Sequence, residues 1–322
     1  MTSPLILGTR GSDLALTQAR MTRAALAEVG VECRIEVVKT IGDKRPDLKL
    51  SEFSQGDNPI VDKGIFTKEL EEALLARTID FAVHSLKDVP TELADEFEIC
   101  ATLPRADIAD VLLTTQQGIS SDLTLLGGKT IATSSVRRAQ QLKWLCPEVN
   151  VVDIRGNVPT RIRKLTENDA WDGILLARAG IERLGIFTPD SASFDFEGTE
   201  VFAIELSVEK FLPAAGQGAV AMEIRRDNDI AREALAKISD AATFTRVNAE
   251  RAFLARLQAG CQTPVGVHTW FENEREILAM SVRVFDEDAP DAEPFVAEVR
   301  GPAIEPAALA DRLMDLKSKQ AS

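Results

Sequence analysis

The chain has 322 residues and a formal charge of −14, from 37 Lys and Arg against 51 Asp and Glu, a balance that disfavours a general nucleic-acid binder. Its 45% hydrophobic content supports proper cores, and its length implies two or three domains. No apolar run is long enough for a membrane span, the first residues lack a secretory leader pattern, and Cys33, Cys100, Cys146 and Cys261 stand apart without a C-x-x-C pair, which argues against a zinc site or a disulfide framework. A cytoplasmic enzyme or binding protein is the class this leaves.

In chain order, Leu5-Ile6-Leu7 reads as a strand, residues 15–29 as an amphipathic helix, and Ile35 to Val38 as a second strand. A polar loop from Pro46 to Pro59 precedes a helix over 66–75, with Phe66, Leu70, Ala73 and Leu74 on one face. The strand Phe81-Ala82-Val83 then opens into His84-Ser85-Leu86-Lys87-Asp88-Val89-Pro90, where the proline stops any regular continuation. The middle alternates strands (129–133, 151–154, 173–177) with helices (136–145, 158–165), the pattern of parallel βαβ units. A strand at 219–223 is placed to return to the first sheet. The last third differs: a helix over 243–257 stops at Gly260. Period-two strands follow at 265–271, 277–285 and 295–299, then a helix with Leu309, Leu313 and Leu316 on one face.

The expected fold class is therefore α/β. Two similar lobes of the two-lobed binding-protein kind enclose a cleft, and a small C-terminal α+β domain follows. The boundaries expected are 1–105, completed by the returning segment near 217–237, then 106–216 with an Arg-rich cleft face, and 238–322 carrying Cys261.

Charge is unevenly spread. Between Lys129 and Arg183 there are ten Lys and Arg but six Asp and Glu, so the middle of an acidic chain is locally basic. Arginine is the residue suited to holding carboxylates or phosphates bidentately. Thr133-Ser134-Ser135-Val136-Arg137-Arg138 offers hydroxyl caps followed by paired guanidiniums. Asp153-Ile154-Arg155-Gly156-Asn157-Val158-Pro159-Thr160-Arg161 offers a Gly-Asn turn, a proline in the first helical turn, and flanking arginines. Helix starts already favour anions, so two such motifs one βα unit apart predict an anion cradle. Surface ion pairing is the usual fate of a single arginine; the repetition is what favours the cradle.

Gly8-Thr9-Arg10-Gly11-Ser12 has the same form, with Ser12 as helix cap. Lys63 and Phe66 sit at another helix start, where Phe66 is equally readable as core or as cover for a ring. Residues 211–219 form a turn-rich approach suited to close backbone contact or an interlobe hinge, and Cys261 lies in a Gly-containing turn beyond a helix. Asp88 and Lys87, at a strand end, are candidates for charge or proton chemistry, since ligands of open α/β sheets bind beyond strand carboxyl ends.

Seven motifs occur together in order: Gly8-Thr9-Arg10-x-Ser12; Lys63-Gly64-x-Phe66; His84-Ser85-x-Lys87-Asp88-Val89-Pro90; Thr133-Ser134-Ser135-x-Arg137-Arg138; Arg155-Gly156-Asn157-Val158-x-Thr160-Arg161; Gly216-Gln217-Gly218-Ala219; and Gly260-Cys261-Gln262. Over nearly its whole length the chain resembles the hydroxymethylbilane synthase (porphobilinogen deaminase) family. The resemblance implies three domains and the stepwise condensation of four porphobilinogens, with release of ammonia and then hydroxymethylbilane. It implies a dipyrromethane cofactor bound through a thioether to Cys261. Asp88 matches the family's catalytic aspartate, with Lys87 beside it. A cofactor set of Arg137, Arg138, Lys63, Ser134, Arg155 and Gly156 follows, and a substrate set of Arg10, Ser12, Arg155, Arg161, Arg183, Phe66 and Gln217. Porphobilinogen is the implied small-molecule partner, with no nucleic acid or membrane, no metal, and a monomeric state.

The residue chemistry agrees. An oligopyrrole accumulates acetate and propionate arms, which call for many arginines, and loss of ammonia leaves a cationic azafulvene that a fixed carboxylate stabilises. A soft thiol can hold a primer covalently. The chain departs from the family at Pro104-Arg105-Ala106-Asp107-Ile108-Ala109-Asp110, where Ile108 and Ala109 replace a common Pro and Arg, and at Ala259, where Gly is common. Two rival readings are a non-catalytic binder of an organic polyanion and an interaction protein gripping a phosphorylated partner. The first gives Cys261 and Asp88 no purpose, and the alternating α/β pattern fits the second poorly.

Overall fold

Short runs rich in Val, Ile, Leu and Ala set the strands, and the way the chain closes on itself decides which run sits centrally. A computed structural model of the protein describes residues 3–39, 67–259, 263–289 and 291–321. The chain runs β1 (Leu5–Thr9), α1 (Asp13–Glu28), β2 (Cys33–Val37), α2 (Lys68–Leu75), β3 (Phe81–Ser85), a single 3-10 turn (Leu86–Asp88), β4 (Phe97–Thr102) and β5 (Asp110–Thr114). It continues through β6 (Thr130–Ala132), α3 (Val136–Leu145), β7 (Asn150–Val152), α4 (Val158–Thr166), β8 (Gly173–Ala177), α5 (Arg178–Arg183), β9 (Ser193–Phe196) and β10 (Thr199–Glu205). After β11 (Val220–Arg225) and α6 (Asp229–Ala236) come α7 (Ala241–Leu257), β12 (Val265–Glu272), β13 (Ile277–Val284), β14 (Phe295–Pro302) and α8 (Ala308–Ala321).

The first sheet has the order β2-β1-β3-β11-β4, the second β7-β6-β8-β5-β10-β9, and the third β12-β13-β14. The returning strand enters the first sheet between β3 and β4, antiparallel to both, and every one of its residues is buried. Its apolar start Val220-Ala221-Met222 suits a strand covered on both faces, and its buried Glu223 is bonded to His84 and its buried Arg225 to Asp227 and the Leu74 carbonyl. The expectation of parallel βαβ units holds for β6 with β7 and β8. It needs correction for the rest of the second sheet: β5 pairs antiparallel with both β8 and β10. The chain enters that lobe along β5, which runs against the parallel core, and β10, antiparallel to β5, runs with it.

Each sheet buries its own apolar set. Leu7, Leu26, Phe81, Val83, Met222 and Leu235 fill one face of the first. Val111, Leu113, Ile162, Ile174 and Leu176 fill one face of the second. Phe253, Val267, Met280, Leu309 and Leu313 join α7 and α8 to the third. On α8 the stripe expected through Leu316 shifts. Leu309, Ala310 and Leu313 are buried and Leu316 is exposed, because the buried stripe is centred toward Ala310 and Met314.

Two segments, 103–109 and 206–219, carry the chain between the first and second sheets. They meet where the Ala106 amide donates to the Gly218 carbonyl (3.1 Å). Gly218 has φ +81°, and a Cβ there would lie 2.6 Å from the Ala106 carbonyl oxygen, so only glycine lets the segments approach this closely.

Candidate active site

The strand that ends in His84-Ser85 does not run on through Lys87 and Asp88. Its last residue caps a 3-10 turn, and the Val89 amide donates back to the Leu86 carbonyl (3.1 Å). A turn just beyond the strand end, not a continuing pleat, presents Lys87 and Asp88, and both are exposed. The turn itself is firmly seated. Leu86 is buried beneath it, its amide donates to the Ala219 carbonyl (3.1 Å), and Ser85 is hydrogen-bonded to Gln18 of α1 (2.7 Å). Beyond the turn, Arg251 of α7 donates to the carbonyls of Pro90 and Thr91 (2.9 Å each).

Among the described residues the Asp88 carboxylate makes no hydrogen bond, yet its charge acts on Lys87 and on Arg161 across the cleft. Lys87 is open to solvent while protein crowds it on all sides, as on the floor of a cleft. Burial pushes its ammonium down to about 8; Arg138 and Arg137 push the same way, and Asp88 and Asp110 oppose them. Burial likewise brings Arg161 down to about 10, helped by Arg138 and Arg155 and opposed by Asp153 and Asp88. The charge of Asp88 in the first lobe is thus felt by Arg161 of the second.

The turn after β7 shows why its residues recur as a motif. Asn157 caps α4 by accepting from the Thr160 amide (2.9 Å), with Pro159 in the first helical turn. Gly156 has φ +120°, and a Cβ would lie 2.6 Å from Thr160 Cγ2. Arg161 Nε donates to the Gly156 carbonyl (2.7 Å), and Arg155 Nε to Asp153 (3.1 Å). The terminal nitrogens of both arginines make no hydrogen bond among the described residues and are left to donate outward. Ser134 donates to the Ile154 carbonyl, which ties this turn to the one preceding α3.

Arg137 and Arg138 are placed differently from a solvent-facing cradle. Ser135 caps α3, and both guanidiniums turn inward onto Asp110. Arg137 Nη1 donates to Asp110 Oδ2 (2.7 Å) and to the Leu212 carbonyl (2.6 Å). Arg138 donates to Asp110 Oδ1 through Nη2 (2.7 Å) and to the Leu175 carbonyl (2.9 Å). Gln217 Nε2 donates to the same Oδ1 (3.0 Å) and to the Ile108 carbonyl (2.7 Å). Burial alone would raise the Asp110 carboxyl, but the two guanidiniums outweigh it and hold the group well below the usual carboxylate range. Arg137 Nε stays buried without a partner.

The remaining candidates divide. Arg183 donates to the Gly218 carbonyl (2.7 Å), and burial lowers its guanidinium to about 10. Ser12 caps α1 through the Ala15 amide, and Arg10 leaves β1 at the same sheet end as the turn after β3. Lys63, Phe66 and Cys261 lie outside the described residues. Two hubs were not singled out from sequence. Asp110 is signalled only as an acid leading the apolar run Val111-Leu112-Leu113. Glu250 carries no signal at all within a helix: it accepts both Nη groups of Arg105 (2.7 and 2.9 Å), the Gly216 amide (2.7 Å) and the Thr269 hydroxyl (2.5 Å).

Comparison with known proteins adds the chemistry's name. Residues 5–233 match the family model described as porphobilinogen deaminase, dipyromethane cofactor binding domain, and residues 244–315 match its C-terminal domain. The porphobilinogen deaminase of Roseiflexus sp. is 40% identical over 321 residues, covering 98% of this chain and 97% of that protein. That of Syntrophobacter fumaroxidans is 43% identical over 265 residues, covering 81% and 78%. Among solved structures, the second substrate-binding domain of an amino acid ABC transporter from Streptococcus pneumoniae is 12% identical with a TM-score of 0.44, covering 77% of this chain and 99% of that one. Since the sequence matches run through both family domains and nearly end to end in one relative, the chain belongs to the porphobilinogen deaminase family.

Proposed function

We propose that the inter-lobe cleft is where this hydroxymethylbilane synthase joins four porphobilinogen molecules head to tail, with Asp88 as the charge-stabilising carboxylate. The observation that carries the assignment is Asp88 itself, exposed on a seated turn and facing the field of Arg161. The residues present fit a dipyrromethane with carboxylate arms. Arg155 and Arg161 have donors free to turn outward, Arg137 keeps a buried unpartnered Nε, and Asp88 has acceptor capacity for pyrrole N–H groups. When bound through Cys261, the dipyrromethane supplies the pyrrole carbon to which successive units are joined.

Asp88 accepts from pyrrole N–H groups and stabilises the positive charge that develops on the substrate's methylene as ammonia leaves. Arg10, Arg155, Arg161 and Arg183 grip acetate and propionate arms, each charge-assisted contact worth about 1.5–3 kcal/mol. Lys87 is the neighbouring group able to lose and regain a proton near neutrality. Arg137 and Arg138 hold the second lobe on Asp110 and lend their charge to the cofactor side. Ser134 and Gly156 shape the turn that presents Arg155, and Ser12 fixes the exit of Arg10. Gln217 orients Asp110, while Lys63 and Phe66 belong to the cofactor and substrate sets on the family resemblance.

The domain boundaries proposed are 1–105 with 217–237, then 106–216, then 238–322. No helix among the described residues is long and apolar enough to cross a membrane. We read the enzyme as a cytoplasmic monomer that engages porphobilinogen and neither nucleic acid nor membrane. Intact-mass measurement of the purified protein tests the reading: a chain heavier than its sequence by one dipyrrole, with the extra mass on the Cys261 peptide, is expected. A mass equal to the sequence, in protein that consumes no porphobilinogen, contradicts it.

A further inference from the structure

The two segments that cross between the lobes leave an open hollow of about 570 Å³ between them. Residues 105–109 of one crossing and Glu205, Ser207, Val208 and Glu209 beside the other form its walls, and Arg246 of α7 reaches in from the third domain. The volume falls in the range that takes a small organic ligand. Its charged groups are almost all committed. Arg105 is bound by Glu250 and the Gln217 carbonyl. Asp107 and Glu205 share Arg178, Asp107 also caps the Ala109 amide, and Glu209 accepts from Ser207.

Of the two arginines that line the hollow, Arg246 is the one without an ion pair among the described residues. Its Nε donates to the Thr269 hydroxyl (3.2 Å), and its terminal nitrogens make no hydrogen bond or ion pair among the described residues. Thr269 in turn donates to Glu250, whose carboxylate is spent on Arg105. The guanidinium is half-buried, and burial with the adjacent Arg105 charge lowers it to about 10 against the pull of Glu250. His268 on β12 feels Arg246, Glu250, Glu209 and Arg105, so the charged groups around the guanidinium are accounted for. An under-coordinated guanidinium at the edge of a hollow whose polar walls carry an apolar patch at Ile108 and Val208 is an oxyanion receptor with room for a short apolar stem.

We propose that this hinge hollow binds a small organic carboxylate, with Arg246 donating to the anion and Ile108 and Val208 covering the stem. The site is separate from the cleft that holds Asp88 and Arg161. An occupant touches both crossing segments and α7 together, so its binding is coupled to the relative placement of the lobes. It need not resemble the substrate, and the inference stands independently of the proposed chemistry.

The test uses the holoenzyme and 4-phenylbutyrate as probe, titrated calorimetrically at fixed ionic strength, with 4-phenylbutylamine and inorganic phosphate as comparison probes. Saturable binding of the carboxylate is expected, weakened at least about tenfold by Arg246→Gln, as for loss of one charge-assisted contact. Partial recovery in Arg246→Lys and no change in Arg161→Gln are also expected, while the amine does not bind. Phosphate binding as tightly as the carboxylate would overturn the role of the apolar patch. Retained affinity in a folded Arg246→Gln, loss in Arg161→Gln, or no saturable binding would overturn the site. At saturating probe, porphobilinogen turnover should fall with KM unchanged; unaltered turnover would overturn the coupling.

Discussion

Asp110 is fully buried with a guanidinium on each oxygen, and the amide of Gln217 completes its shell. Removing one partner of a buried ion pair leaves the other uncompensated, at a cost of about 3–5 kcal/mol. Asp110→Asn should therefore lower stability by that order in urea unfolding; an unchanged midpoint would mean the two arginines find other acceptors. The sign of the pH dependence follows from the same residue. A carboxyl held below its ordinary value of 3.8 contributes fully above that pH and loses its contribution as pH falls through and below it. Acid unfolding should thus be less steep in Asp110→Asn than in the parent.

Lys87 runs the other way. Its ammonium is disfavoured in the cleft, so it should half-titrate near 8, against about 10.4 for an unperturbed lysine. Mapping acylation of individual lysines against pH by mass spectrometry checks this, and a Lys87 that titrates with the surface lysines contradicts it. At the second lobe, Arg161→Gln should lower porphobilinogen turnover roughly ten- to a hundredfold, the loss of one charge-assisted contact. Arg163→Ala should leave turnover nearly unchanged, because Arg163 is exposed and pairs with Glu197 near the Phe196 ring. Equal small losses at the two positions would reduce the cluster to a solvated face.

At the scale of elements, the helix starts were the most readable feature. Ser135 and Asn157 are the caps of α3 and α4, and Pro159 lies in the first turn as its fixed φ allows. The returning β11 was legible because a fully buried strand writes an apolar run into the sequence. β4, β5, β9 and β10 were not legible. β5 is five residues that a buried helix segment could equally supply, and β9 with β10 turns at Glu197-Gly198, where both residues have positive φ but only the glycine signals it. The arginines of Arg137-Arg138 were visible as a motif, yet their direction depended on Asp110, 27 and 28 residues away. Sequence spacing carries no information about that meeting. Gly218→Ala tests the crossing directly. A Cβ 2.6 Å from a carbonyl oxygen at φ +81° should cost on the order of 1–3 kcal/mol and separate the two crossing segments. A neutral effect on thermal unfolding would show that the crossing is loose.

Across the whole molecule, the third domain is tied to both lobes. Arg105 with Glu250 and Arg251 with the loop after Asp88 join it to the first lobe and its crossing segment. Arg283 donates to Gln141 (3.0 Å) and lies 4.4 Å over the Trp144 ring, joining it to the second. A domain that carries the Cys261 segment is thereby fixed relative to the turn of Asp88 and to the arginine-bearing α3 and α4. That arrangement suits a primer attached on one domain and worked on between the other two. The central claim is that a negative charge at Asp88 performs the condensation. Its most direct test is porphobilinogen consumption by cofactor-loaded Asp88→Asn, which keeps the side chain's shape and removes its charge. Turnover lower by several orders of magnitude, with the covalent dipyrrole still present by intact mass, is the result expected; consumption close to that of the parent enzyme would remove Asp88 from the mechanism.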